Sequence, residues 1–245
     1  MRSYDEYCAL AKSLDVVGDR WTLLIVRELE LRGACRYTDL RNGLPGIATN
    51  LLADRLRELE REGLVAREEA PPPIATTLFR LTARGTELRP VLESLVRWGM
   101  PLMTADNTGD AVRSHWLAWA IELLLTDRRP NAVPVTLELH TGEQPIVLET
   151  RDGKLVTRLG PVGETGADAT IGGEARSVMG LLLGMLTVRD AKAMGVSYTG
   201  DPAILERIGA DPSLVGPAEA SAGNARRSGS AQRARAEALR RTGAL

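Results

Sequence analysis

The chain has 245 residues, 44% apolar and 26% charged, which is enough for two domains that each bury a core. No run of about 18 apolar residues occurs and the N-terminus carries no apolar leader pattern, so a membrane span and export are not expected and a cytoplasmic protein is. The two cysteines, Cys8 and Cys35, cannot build a disulfide framework, and the two histidines, His115 and His140, lie at no metal-ligand spacing, so no metal or cofactor is expected. Charge is divided: residues 1–110 hold 15 Lys/Arg against 17 Asp/Glu, 111–214 hold 10 against 13, and 215–245 hold 6 against 2.

Leu10, Leu14 and Val17 recur at helical spacing, predicting a first helix over 4–17. Gly18 breaks it, and a more apolar helix follows over 21–31 until Gly33. Arg36 and Tyr37 read as a short strand, and Thr38 caps a third helix. Leu44-Pro45-Gly46 must be a turn, because Pro and Gly together do not continue a helix. A fourth helix spans 48–62 with Leu52, Leu56 and Leu59 as its buried stripe, leaving Thr49, Asn50, Ala53, Asp54 and Arg57 outward. Residues 64–68 and 77–81 read as paired strands joined by a Pro-rich tip. Thr82 then opens one long helix with Leu88, Leu92, Leu95 and Trp98 along a side, bent by Pro90.

A helix-turn-helix followed by a β-wing sets the outer face of the 48–62 helix where it can enter a DNA major groove. Thr49, Asn50 and Arg57 are candidate base contacts, since Asn pairs bidentately with adenine and Arg with guanine; a merely solvated helix face is the other reading. Ala48, Ala53 and Arg55 join that set, with Arg55 equally suited to holding an Asp or Glu inside the fold. Thr38 and Arg41, and Arg67 and Arg80 on the wing, complete the DNA-binding candidates, the arginines (with Arg36) being placed for phosphate. The stripe of Leu88, Leu92, Leu95 and Trp98 is broader than a small winged domain covers, which predicts a homodimer.

Residues 104–110 read as a linker, so the expected domains are 1–105, 111–212 and a disordered Arg/Ala-rich tail, 215–245. The second unit begins with an apolar helix over 115–125, with strands at 133–140, 146–151 and 155–159, a short one at 169–171, and helices at 176–186 and 203–208. Trp116, Leu182, Met185, Met194 and Tyr198 are the candidate ligand-binding residues, suited to an apolar effector. An ordinary filled core is the alternative. The tail either scans DNA nonspecifically or solubilises the chain.

Residues 8–100 resemble the HxlR-type winged-helix regulators, a family related in fold to the MarR group. The matching positions include Cys8, Gly18, Trp21 through Ile25, Arg27-Glu28-Leu29, Arg36-Tyr37, Leu44 through Ile47, Arg55-Leu56, Gly63-Leu64-Val65, Leu81-Thr82, Gly85 and Trp98-Gly99. The resemblance implies dimers on palindromic double-stranded operators. Ala48 stands where the family usually has a capping Ser, and no basic residue stands near Asn50. It also implies a role for Cys8 near the dimer interface, as a redox or electrophile sensor or as a buried structural residue. Residues 112–210 resemble a sterol-carrier-protein type domain through Ala169 to Glu174, Leu182-Leu183-Gly184 and Val196 to Asp201. The expected fold is therefore α+β, a winged helix-turn-helix domain followed by a sterol-carrier-like α+β domain. No Gly-x-Ser-x-Gly elbow, paired-histidine set or P-loop is present, so no catalytic residue is named. The expected function is a ligand-responsive transcriptional regulator. The rival is a small-molecule carrier or sequestering protein that uses the winged helix for dimerisation.

Overall fold

The computed structural model describes residues 3–70, 76–103, 109–163 and 166–211. Helices α1 (Ala9–Val17), α2 (Thr22–Arg32), α3 (Tyr37–Gly43) and α4 (Thr49–Arg61) come first, with the short strand β1 (Cys35–Arg36) between α2 and α3. Strands β2 (Val65–Glu69) and β3 (Thr77–Leu81) form the wing, and the three strands lie in the order β1-β3-β2. Ala70 N–H donates to Thr76 O at 2.8 Å across the wing, whose Pro-rich tip lies outside the described residues.

Two expectations for this half change. The first helix starts at Ala9, because Asp15 turns back to accept from Ser3 Oγ and Tyr4 N at 2.9 Å each and holds the preceding segment out of the helix. The long helix after the wing is two: α5 (Ala83–Thr86) and α6 (Arg89–Gly99), followed by a 3₁₀ turn, Met100–Leu102. Pro90 sits in the first turn of α6, where its missing N–H costs nothing, so it starts a helix instead of bending one.

The second half opens with α7 (Ser114–Leu124) and continues through β4 (Leu125–Asp127), β5 (Thr136–His140), β6 (Ile146–Arg151), β7 (Lys154–Leu159) and β8 (Ala169–Gly172). Helices α8 (Ala175–Leu182) and α9 (Val188–Ala193), β9 (Ser197–Gly200), α10 (Pro202–Arg207) and β10 (Ile208–Ala210) complete it. The main sheet runs β7-β6-β5-β8-β9, antiparallel except for β5 against β8, with Leu139 opposite Ile146 on one side and Ile171 on the other. The helix expected over 176–186 ends at Leu182, since Gly184 takes φ +75° and Thr187 caps α9 by accepting from Asp190 N. The expected linker falls mostly on residues 104–108 and the tail on 215–245, outside the described residues.

Two apolar cores result. One gathers Ile25, Leu29, Leu40, Leu44, Leu52, Leu56, Leu59 and Phe79; the other gathers Leu137, Leu139, Ile146, Leu148, Ile171 and Val178. Helix α7 serves both. Its Leu117 and Ile121 pack into the sheet core, while Trp119 packs into the winged-helix core. Residues 1–209 accordingly form one compact unit.

At the seam between the cores lies a carboxylate with no exposure, Glu28 of α2. Its Oε1 accepts from Arg27 Nη2 at 2.9 Å and Trp116 Nε1 at 2.5 Å, and its Oε2 accepts from Arg32 Nε at 3.0 Å. His115 Nε2 lies 2.9 Å from Oε2, and Arg32 Nη2 lies 3.5 Å from His115 Nδ1. A guanidinium only donates and an ionised carboxylate only accepts, so the imidazole fits here with its proton on Nε2. Burial pushes the Glu28 carboxyl up, but the bonds from His115, Trp116 and the two arginines outweigh it and bring the pKa to about 2.

Gly43 exists to admit this group. A Cβ built there would stand 2.1 Å from Glu28 Oε2, and the carboxylate is too well pinned to yield. Gly43→Ala is expected to destabilise the fold by about 1–3 kcal/mol despite the better helix propensity of Ala, measured by urea unfolding. An unchanged midpoint would mean the cluster gives way freely. A second expectation concerns acid. The Glu28 carboxyl falls from 4.5 to about 2 on folding, so its contribution is complete above pH 4.5 and is lost as pH falls toward 2. At about 1.4 kcal/mol per unit this amounts to roughly 3 kcal/mol. Glu28→Gln should therefore lose less stability than the wild type over that interval, read from urea midpoints at each pH.

Candidate nucleic-acid interface

The turn between α3 and α4 is built from Leu44 and Ile47, both buried, around Pro45 and Gly46. Gly46 has φ +86°, a conformation that side chains disfavour, and it lets the chain reverse before Ala48. Leu52, Leu56 and Leu59 then seat α4, each at most 2% exposed. The opposite face is fixed by that seating. Thr49, Asn50, Asp54, Arg57 and Arg61 are exposed, and Ala53 is half-buried.

Ala48 occupies the N-cap without a side-chain bond, and Thr49 does not replace one. The carbonyl of Thr49 instead accepts from Tyr37 Oη at 2.5 Å, which ties the start of α4 to α3. Asn50 Oδ1 accepts from Leu51 N at 3.0 Å. Thr38 and Arg41 lie exposed on α3, whose first turn is capped by Asp39 accepting from Arg36 N at 3.0 Å.

Arg57 on α4 and Arg67 and Arg80 on the wing are already paired. Arg57 Nη2 meets Asp54 Oδ1 at 2.6 Å, and Arg80 Nε meets Glu68 Oε2 at 3.1 Å across the wing. Arg67 pairs with Glu60 and lies over the Phe79 ring. Arg55 binds both Asp19, just before α2, and Glu58, with its side chain largely covered. Of its two expected roles, the structure provides the one inside the fold. The acidic partners were missed as functional groups, although the i,i+3 spacing of Asp54 and Arg57 was visible in the sequence.

The ligand-binding candidates do not share one lining. Leu182 packs in the sheet core, while Met185 and Met194 are 70% and 56% exposed. Tyr198 Oη donates to Asp201 O at 2.6 Å, and Trp116 belongs to the Glu28 cluster, its ring under the Arg27 guanidinium at 4.1 Å. The dimerisation stripe divides as well. Leu92 is buried and Leu88 packs against the winged-helix core, whereas Leu95 and Trp98 point outward with Val91. The cysteines correct the expectation of a buried Cys8: it is exposed, and the buried thiol is Cys35, opposite Phe79 in the sheet. Burial, reinforced by Asp39, pushes the Cys35 pKa up to about 11. Lys12 reaches Asp15 at 3.5 Å and Ser3.

Among the described residues no helix is long and apolar enough to cross a membrane, and no group of His, Cys, Asp and Glu could hold a metal ion.

An HxlR-like helix-turn-helix family model matches residues 16–107. YvaP of Bacillus subtilis, an uncharacterized HTH-type transcriptional regulator, is 36% identical over 87 residues, covering 36% of this chain and 80% of its own length. The HTH-type transcriptional regulator YodB of the same organism is 30% identical over 89 residues, 36% of this chain and 79% of its own. The solved reduced form of YodB aligns with a TM-score of 0.36 at 29% identity, over 43% of this chain and all of that one. These relatives are HTH-type transcriptional regulators, and the chain belongs to the HxlR-like helix-turn-helix family.

Proposed function

We propose that the chain is a homodimeric transcriptional regulator that reads double-stranded DNA with α4. The observation that carries this reading is the outer face of α4, where Thr49, Asn50 and Arg57 stand exposed beside the wing while three leucines fix the opposite side. In this reading Thr49 and Asn50 reach base edges. Arg57 exchanges Asp54 for a base or phosphate, and Arg41, Arg67 and Arg80 position the backbone. The Arg57–Asp54 pair is exposed and weak, so a base or phosphate can replace the carboxylate. The net acidity of residues 1–110 does not bar this reading, because binding depends on the charges local to the contact surface more than on their sum.

The outward row of Val91, Leu95 and Trp98 on α6, at 45%, 44% and 73% exposure, supports a symmetric dimer that spaces two α4 helices along a palindromic operator. For residues 112–210 a sterol-carrier-like effector domain remains our reading, supported by a five-stranded sheet with apolar helices against it. Met185 and Met194 are exposed, and Leu181, Leu183 and Leu186 are half-buried against the sheet core, apolar side chains of the kind an effector would meet. A cytoplasmic location fits this function.

Asn50→Ala and Arg57→Ala are each expected to cost about 1–3 kcal/mol of discrimination between a selected operator and random duplex, with the melting temperature unchanged. Equal loss on both DNAs in a mobility-shift titration would assign these residues to phosphate only. Leu95→Arg with Trp98→Glu is expected to convert a dimer into the 26.5 kDa monomer in sedimentation at micromolar concentration. A monomeric wild type would remove the dimer from the proposal.

A further inference from the structure

Glu28 is served from both halves of the chain. Arg27 and Arg32 reach it from its own helix, and His115 and Trp116 reach it from α7. Its Oε2 also lies against the backbone of Gly43, the last residue of α3, immediately before the turn that leads into α4. A neighbouring contact repeats the link. Arg113 Nη2 donates to Asn42 O at 3.4 Å, while its Nη1 donates to Glu143 Oε1 at 2.9 Å, in the connection between β5 and β6. Two turns further along α7, Glu122 Oε1 accepts from Thr157 N at 2.6 Å and Thr157 Oγ1 at 2.8 Å, which fastens the helix to β7.

Helix α2 is therefore held at both ends. Asp19, just before its first turn, takes Arg55 of α4, and Glu28, in its last turns, takes α7. An 11-residue helix is a stiff rod, so a displacement at one end is delivered at the other.

We propose that Glu28 is a positioning residue through which residues 109–209 hold the helix-turn-helix in the geometry that DNA requires, so that the C-terminal half sets operator affinity without touching DNA. The proposal rests on the reading that α4 binds DNA. The carboxylate suits the task because its partners are directional donors on two separate elements. Apolar packing alone would let α7 slide on α2, whereas an indole N–H and an imidazole N–H on one carboxylate fix both distance and rotation.

The test uses the full chain and changes only the α7 side: Trp116→Phe, which keeps the ring over Arg27 and removes the N–H, combined with His115→Ala. Unfolding is followed by calorimetry, and operator DNA is first selected from a random duplex pool by the wild type. The wild type should melt in one transition and the double variant in two, one for each core. Operator affinity should fall on the order of 10-fold, while affinity for random duplex stays within about twofold, because the phosphate contacts are intact. Trp116→Phe with His115→Gln, whose amide still donates to Glu28, should recover most of the loss. Should the double variant not fold, Trp116→Phe alone takes its place, with the same two readouts. A residue that merely stabilises the fold would lower one melting temperature and leave the operator affinity of the folded protein unchanged; either a single transition or an unchanged operator affinity overturns the proposal. If the wild type selects no sequence, the DNA reading falls instead, and the number of transitions alone decides whether this contact joins the two cores.

Discussion

The fold depends on one buried charge. A carboxylate taken fully out of water costs several kcal/mol unless its lone pairs are filled, and Glu28 fills them with two guanidinium groups, an indole and an imidazole. Because the last two donors belong to α7, the satisfaction of a group in the winged helix requires the second half to be docked. The apolar contacts obey the same geometry: Trp119 points into the winged-helix core, and Leu117 and Ile121 of the same helix point into the sheet core. Helix α7 thus belongs to both cores.

The electrostatics of the proposed DNA face follow a different rule. Its ion pairs are exposed, and exposed pairs contribute little, typically about 0–1 kcal/mol each. They hold the arginines in place loosely enough to be exchanged. Arg55 is the exception, since it is largely covered and bound to two carboxylates, one of them beyond its own helix. That contrast separates Arg55, which shapes the helix-turn-helix, from Arg57, whose pair with Asp54 lies in solvent, although both read alike as arginines on one amphipathic helix.

What the sequence made legible was local. The Leu52, Leu56 and Leu59 period gave α4 within a residue at each end, and Pro45-Gly46 marked the turn. The alternating strands of the second half also paired as their turns implied. What was not legible depended on partners distant in the chain. His115 lies 87 residues from Glu28, and nothing in the composition around either announces the pair. Leu88 and Leu92 looked continuous with Leu95 and Trp98, but Leu88, Leu92 and Val96 form one row of α6 that faces the core, while Val91, Leu95 and Trp98 form another that faces outward. Cys8, expected to be buried, is exposed for a similar reason: the segment before α1 is held by Asp15, whereas the buried thiol, Cys35, lies in a strand opposite Phe79.

The second half contains a buried pair of its own, and the comparison shows why Glu28 differs in consequence. Asp127 accepts two bonds at 2.7 Å from Arg207, whose remaining donors go to Val133 O and to Thr150 Oγ1 at 3.1 Å. The bond from Arg207 holds the Asp127 carboxyl below its usual range. Every group in that cluster lies between residues 127 and 207, so it fastens the end of α10 to the strands of its own core and transmits nothing outside it. Glu28 uses the same chemistry, a carboxylate saturated by directional donors, but draws those donors from two cores. The chemistry alone does not make a coupling contact; the placement of its partners does.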